Sequence, residues 1–245
     1  GIPVIINDDA HDPDHLYDEY TKLALELTDK WGLKVLENIK IGEKTGFIIE
    51  NLEELEKELL YGEVNISNDG DILFTPNKSN KRSLPIQMTA SIIKTLSSLV
   101  VYLKHSAKEN DLIIIDEPEI NLHPENQIIL TRIFARLANN GFRLLISTHS
   151  DYIVREFNNL LILSNKDKAN INKAAKDFGY KEDEFIKKDD LGVYSFTYKT
   201  EKSKQVVIEE IPISETGFNI ELIDSVIDKQ NDIMETLYYS LKYDE

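Results

Sequence analysis

Two polar turns stand out in the sequence because each follows a short run of apolar residues. The first turn belongs to residues 111–124, which read DLIIIDEPEINLHP and place Asp116 and Glu117 after an apolar run. The second belongs to residues 144–150, which read LLISTHS and place His149 after another. Neighbouring parallel strands end at one edge of an open α/β sheet, and ligands bind at that edge. We therefore expect these side chains to meet at a phosphate-handling site.

The residue types at this edge suit nucleotide hydrolysis. Asp116 can hold Mg²⁺ directly or through water, and Glu117 can polarise a water for attack on a terminal phosphate. His149 can contact that phosphate or orient the water. The structural alternatives are an acidic loop that caps the next helix and a histidine that only begins one. The full run of strand, acids, helix and second strand favours the nucleotide site.

The elements around these turns alternate between strand and helix. Short apolar strands that alternate with helices indicate an α/β fold with a parallel sheet and right-handed crossovers. Pro124 suits the first turn of the intervening helix, and Gly141 suits the position after its end. We predict strands at 112–115, 142–146 and 160–163, and helices at 124–139 and 150–157.

The outer segments are predicted from hydrophobic spacing and turn residues. Residues 68–70, Asn-Asp-Gly, indicate a β-hairpin between two alternating runs. Residues 193–198 and 205–208 should form a late antiparallel pair. Residues 1–13 begin with a strand-like run. Helices are predicted at 14–31, 51–60, 86–105, within 165–190, and at 219–242. In the last of these, the isoleucines and Leu237 are expected to face mostly inward.

Residues 84–163 resemble the Walker B, D-loop and H-loop run of ABC-type ATPases of the AAA family. The resemblance is carried by residues 111–124, quoted above, and by residues 147–159, which read STHSDYIVREFNN. The resemblance is closest to the branch with SMC-, RecF- and OLD-like proteins, some of which act in phage defence. It implies a P-loop NTPase-like head that uses ATP and Mg²⁺. It further implies that Asp116 is the magnesium-associated aspartate, Glu117 the catalytic glutamate and His149 the switch histidine.

The same resemblance implies a partner. In this family the D-loop, here residues 120–123, crosses the interface with a second head, so a homodimer is expected, with an effector protein as a further partner. His123 is then an interface or site-edge residue, or else a packing residue at a helix start. The signature loop corresponds to residues 87–94, where Ser91 matches as a phosphate-facing hydroxyl. Ile92 replaces the expected glycine, and Ser91 with Thr89 could instead cap a core helix.

The sequence contains no Gly-x-x-x-x-Gly-Lys-Ser/Thr run to cradle phosphates. The nearest candidate, residues 42–46, has the wrong spacing and should be a loop. In the family the P-loop precedes the signature loop, so we expect this chain to be the C-terminal part of a longer ATPase. We predict a helical and hairpin insert over residues 1–83 and the C-terminal lobe of the head over 84–245.

Composition limits the other functions. The net charge of −16 disfavours broad nucleic-acid binding, and no apolar run approaches the roughly 20 residues of a membrane span. Zero cysteines exclude disulfides and thiolate metal sites, and a cytoplasmic setting fits. An acid and histidine cluster at residues 8–15 could bind a divalent metal, and a capped loop is the favoured interpretation. The alternatives to an ATPase are a regulatory or interaction module that keeps the fold, and a metal-dependent nuclease using Asp116 and Glu117.

Overall fold

The computed structural model describes residues 2–7, 52–53, 55–77, 82–108, 110–165, 169–198, 205–219 and 221–243. For residues 2–7, 221–227 and 243 the description covers the backbone. The predicted helix at 14–31, the acid and histidine cluster at 8–15 and the loop at 42–46 lie outside the described residues. No helix within these ranges is long and apolar enough to cross a membrane.

The described chain contains eight strands and five α-helices, numbered here in chain order. The strands are β1 (Ile2–Asn7), β2 (Gly62–Ile66), β3 (Ile72–Pro76), β4 (Leu84–Pro85), β5 (Leu112–Asp116), β6 (Arg143–Thr148), β7 (Leu191–Tyr198) and β8 (Val206–Glu210). The helices are α1 (Ser91–His105), α2 (Pro124–Asn139), α3 (Asp151–Leu163), α4 (Ala169–Asp177) and α5 (Glu221–Tyr243).

The main sheet has five strands in the order β5, β6, β1, β7, β8. The first four are parallel, and β8 runs antiparallel to β7. The predicted α/β fold with a parallel sheet, flanking helices and a late antiparallel pair is confirmed. Strand β1 lies between β6 and β7, so the N-terminal segment contributes to this sheet. The domain boundary between residues 83 and 84 stays a prediction.

A smaller antiparallel sheet contains the predicted hairpin. Strands β2 and β3 pair around the Asn-Asp-Gly turn, and β4 adds to β3. The predicted helix at 51–60 is a π-helical turn from Leu55 to Leu60. Lys104 of α1 donates to Glu56 Oε1 at 2.7 Å and to the Val64 carbonyl at 2.9 Å. These contacts join the turn and the hairpin to α1.

The core lies where the helices cover the main sheet. Leu144 and Ile146 of β6 are fully buried, and Leu130 and Phe134 of α2 pack in the same apolar cluster. At the far end of β5, the Tyr102 hydroxyl donates to the Asp111 carboxylate. Burial, this hydrogen bond and the negative charge of the carboxylate together raise the pKa of Tyr102 well above its usual range.

Three predictions about helices were wrong. Helix α2 has the predicted bounds, but residues 160–163 continue α3 instead of forming a strand, because Phe157, Leu160 and Leu161 bury one helical face. The helix predicted from residue 86 begins at Ser91, since β4 pairs with β3 and a 3-10 turn follows. In α5, Leu237 does not face inward and is 61% exposed.

Candidate functional site

The strand register brings the sequence-predicted side chains to one edge of the main sheet. Asp116 of β5 is level with Ser147 of β6, and Ile6 of β1 is level with Thr148. All three strands run in the same direction, so their carboxyl ends open on the same side. Ligands of open α/β sheets bind at this edge. The structure therefore brings Asp116, Glu117 and the turn that carries His149 together, as the motif spacing predicts.

Asp116 is held at its position by the neighbouring strand. The Ser147 hydroxyl donates to Asp116 Oδ1, and the amide of Glu117 donates to the Ser147 carbonyl at 3.0 Å. The Asp116 side chain is nevertheless exposed, because β5 is the outermost strand of the sheet. An exposed carboxylate with one oriented oxygen suits a cation that keeps most of its water ligands.

Glu117 and His149 form the direct link across the edge. Glu117 Oε1 lies 3.2 Å from His149 Nε2, and both side chains are about 40% exposed. Glu117 has a backbone φ of 44°, in the left-handed region that side chains other than glycine rarely adopt. This conformation costs about 1–2 kcal/mol and turns the chain off the strand ahead of the buried Pro118. Such strain is concentrated at functional sites.

Glu119 is a residue of this edge that the sequence reasoning missed. Its Oε1 accepts hydrogen bonds from the Thr148 hydroxyl at 2.8 Å and from the His149 amide at 2.7 Å. Its Oε2 is buried with no hydrogen-bond partner among the described residues. Glu119 thus fixes the backbone from which the His149 ring projects. The Glu-Pro-Glu spacing after the strand is the one local signal that could have suggested it.

A second tie joins the same two loops. The Gln127 amide donates to the Leu122 carbonyl at 3.0 Å, and its oxygen accepts from the Ser150 hydroxyl. Ser150 also caps α3 by accepting from the Ile153 amide at 3.2 Å. Gln127 and Ser150 are both buried. The loop after β5 and the turn after β6 therefore form one hydrogen-bonded unit.

Two further predicted residues lie outside this contact network. His123 is the N-cap of α2, where Nδ1 accepts from the Glu125 amide at 3.4 Å, and its ring is exposed. Ser91 is the first residue of α1 and is exposed, while Ile92 packs against the core. The alternative in which Thr89 and Ser91 cap this helix does not hold. Ala90 is the N-cap, and Thr89 donates to the Ile86 carbonyl at 2.6 Å.

The donor set fits Mg²⁺ bound with a nucleotide better than a metal held by protein alone. Across the described ranges, no group of three or more histidine, cysteine or acidic side chains could hold a metal ion. Mg²⁺ commonly takes one or two carboxylates, with waters and substrate phosphates completing its octahedron. Asp116, exposed and oriented by Ser147, meets that requirement.

Comparisons with known proteins identify the family of the chain. The family model described as "AAA ATPase domain" matches residues 6–154, more than half of the chain. The Old nuclease of Escherichia phage P2 is 38% identical over 65 residues, which cover 26% of this chain. Those residues make up 11% of that protein, so the chain spans a small part of this curated relative.

A solved structure was also found to be similar. The SMC head domain from Thermotoga maritima has 12% sequence identity and a TM-score of 0.35, covering 67% of this chain and 47% of that one. The family model and the phage relative confirm the resemblance to AAA-type, OLD-like ATPases that the motifs indicated. The chain belongs to the AAA ATPase domain family.

Proposed function

We propose that the carboxyl edge of the main sheet is the hydrolytic half of an ATP site. The observation that carries this proposal is the meeting of Glu117 and His149 at 3.2 Å beside Asp116, each at the end of a parallel strand. Mg²⁺, when bound, would neutralise charge on the β- and γ-phosphates. Asp116 would hold it through the carboxylate that Ser147 orients.

The remaining residues of the edge act on the water and the terminal phosphate. The Glu117 carboxylate is exposed enough to accept a hydrogen bond from a water and to draw its proton during attack. His149 lies within hydrogen-bond reach of Glu117, so it can orient that water or contact the γ-phosphate. Glu119 holds the His149 backbone by accepting a hydrogen bond from its amide, and it has no part in the proton transfer. This division of roles matches what the family resemblance implies.

The proposed setting is a longer ATPase whose head engages a second copy and drives an effector in phage defence or DNA maintenance, with defence favoured. Two features support it: the membership of the AAA ATPase domain family and the local similarity to a phage P2 protein named as a nuclease. Ser91 and His123 would face the second head in this arrangement. Both are exposed at helix starts, which is compatible with such a contact.

The test compares two glutamate variants in the longest natural protein that contains the chain. Glu117→Gln keeps the size of the side chain but cannot take a proton, and should lower ATP turnover by about 100-fold or more. The control Glu209→Gln lies on β8 at the opposite edge of the sheet and should leave turnover unchanged. Equal turnover in Glu117→Gln and the parent protein would rule out the catalytic assignment.

The second candidate is a regulatory or interaction module that keeps the fold without hydrolysing ATP. It is favoured by the absence of a P-loop run from residues 1–245 and by Ile92, which packs against the core where the family signature has glycine. Calorimetric titration of the chain with ATP and Mg²⁺ separates the two candidates. Micromolar binding would count against the module, and no binding by the longest natural protein would count against the ATPase.

A further inference from the structure

Gln127 is a polar side chain at a place where helix α2 buries mainly apolar ones. It is 9% exposed, and Leu130 and Phe134 on the same face of the helix belong to the apolar core. A buried amide group costs free energy unless both its nitrogen and its oxygen find hydrogen-bond partners. Leucine would fill a similar volume without that requirement. The partners of Gln127 therefore indicate what its amide contributes.

Both partners of the Gln127 amide lie in the two loops of the candidate site. The nitrogen donates at 3.0 Å to the carbonyl of Leu122, in the loop after β5. The oxygen accepts from the hydroxyl of Ser150, in the turn after β6. The orientation of the amide is fixed, because a rotated amide would place its oxygen against the Leu122 carbonyl oxygen. One planar group therefore holds the first loop at a set distance from the second.

The hydrogen bonds of Gln127 form an outer tie beside the contact between Glu117 and His149. Ser150 directly follows His149, and Leu122 lies five residues after Glu117 in the same loop. Glu119 forms an inner tie, since its carboxylate accepts from the His149 amide at 2.7 Å. A single point of attachment would let the two loops rotate about it. The two ties together fix both the separation and the relative orientation of the loops.

The loop after β5 needs this second attachment because its tip is exposed and strained. Ile120 is 47% exposed, and Asn121 has a φ of 64°, in the left-handed region. The amide of Ile120 donates to the Glu117 carbonyl at 3.1 Å, and the amide of Leu122 donates to the Glu119 carbonyl at 2.9 Å. These backbone hydrogen bonds close within the loop and do not attach it to the turn after β6. The outer tie supplies that attachment at the far end of the loop.

We propose that Gln127 is a positioning residue for ATP hydrolysis, which sets the distance and angle between the Glu117 carboxylate and the His149 ring. This inference rests on the proposed function. Gln127 is buried beneath the two loops and does not touch the nucleotide, so its loss should affect the catalytic step and leave ATP binding unchanged. Misplacement of a reacting group by about 1 Å can lower a rate by about 100-fold. Loss of the outer tie should therefore lower kcat by roughly 10- to 100-fold.

The first test measures kcat and KM for ATP in the longest natural protein that contains the chain. Gln127→Met keeps the size of the side chain but removes both hydrogen bonds, so it should lower kcat by that factor and leave KM unchanged. The matched control is Thr131→Val on the same helix, which removes a buried hydroxyl whose hydrogen bond stays within α2. It should leave kcat unchanged. An undiminished kcat in Gln127→Met, or an equal loss in both variants, would overturn the positioning role.

A double-mutant cycle separates the tie from a general loss of stability. Ser150→Ala breaks the same tie from the other side, whereas Ser150→Thr keeps the hydroxyl and should retain most of kcat. The double variant Gln127→Met with Ser150→Ala should lose no more kcat than the more affected single variant, because there is only one tie to break. Losses that multiply in the double variant would show independent effects and overturn the tie.

The second test needs no nucleotide. Glu117→Gln should shift the NMR signal of the His149 ring, because Glu117 Oε1 lies 3.2 Å from His149 Nε2. In the Gln127→Met background the same substitution should shift this signal less, since the two side chains are no longer held together. An equal shift in both backgrounds would overturn the positioning role. Equal turnover in Glu117→Gln and the parent protein would instead overturn the proposed function, so the two failures are distinguishable.

Discussion

Removal of the Glu119 carboxylate should loosen the turn that carries His149. Glu119→Ala deletes two hydrogen bonds to a charged acceptor, from the Thr148 hydroxyl at 2.8 Å and the His149 amide at 2.7 Å. Each is worth about 1.5–3 kcal/mol, and the loss of the buried, unpartnered Oε2 returns about 1–3 kcal/mol. At the middle of these ranges, the net loss in the free energy of unfolding is about 2–3 kcal/mol.

Thermal unfolding and amide exchange measure this loss separately. At about 2–4 °C per kcal/mol, Tm should fall by roughly 4–12 °C, and the His149 amide should lose protection from hydrogen exchange. Glu119→Gln keeps one acceptor oxygen but buries an amide in place of Oε2, so its Tm should lie between those of Glu119→Ala and the parent. Glu209→Ala, on an exposed edge strand, should change neither quantity. A Tm of Glu119→Ala within 1 °C of the parent would refute the reasoning.

Three further predictions concern backbone strain, a buried ion pair and alkaline pH. Glu117→Gly should be more stable than Glu117→Ala by about 1 kcal/mol in urea unfolding, because φ is 44° there and neither variant has a carboxylate; equal stability would contradict the strain. Glu184→Ala should lower the free energy of unfolding by about 3–5 kcal/mol in the same assay, since Arg136 Nη2 lies 3.2 Å from Glu184 and both side chains are 2% exposed. Asp183→Ala, at an exposed position, is its control. A similar loss in both variants would contradict a stabilising role for the buried ion pair. Burial and a neighbouring carboxylate raise the pKa of Tyr102 above its usual value of 10.0. The neutral hydroxyl therefore contributes its full stabilisation below pH 10.0, and this stabilisation is lost as the pH rises from there toward the raised pKa. Tyr102→Phe should flatten part of that alkaline fall in Tm, and an unchanged slope would argue against it.

The sequence was sufficient for the parts of the fold that depend on local patterns. Helix α2 matches its predicted bounds because Pro124 and Gly141 act within their own turns. Residues 160–163 were misread because a short apolar run fits a strand or a buried helix equally well until its packing is known. The inward face assigned to α5 failed for a related reason, since spacing identifies an apolar face but not what covers it.

The sequence was sufficient to predict that the candidate site residues come together, but not to predict the hydrogen bonds that hold them in place. Asp116, Glu117 and His149 were found because strand ends meet at one edge, and the register confirms that they come together. Glu119 was missed because its partners, Thr148 and His149, lie about thirty residues away and become neighbours only when β5 and β6 pair. The catalytic roles of the site residues stay predictions.

The measurement that most directly tests the site is the NMR signal of the His149 ring with and without nucleotide. The chain has five histidines, so His149→Gln assigns the signal, and His105 at the end of α1 serves as an internal control. In the longest natural protein, a non-hydrolysable ATP analogue with Mg²⁺ should shift His149 and leave His105 unchanged, whereas ADP with Mg²⁺ should shift His149 much less. Identical responses to the two nucleotides, or no response of His149 to bound analogue, would contradict a γ-phosphate site at this edge.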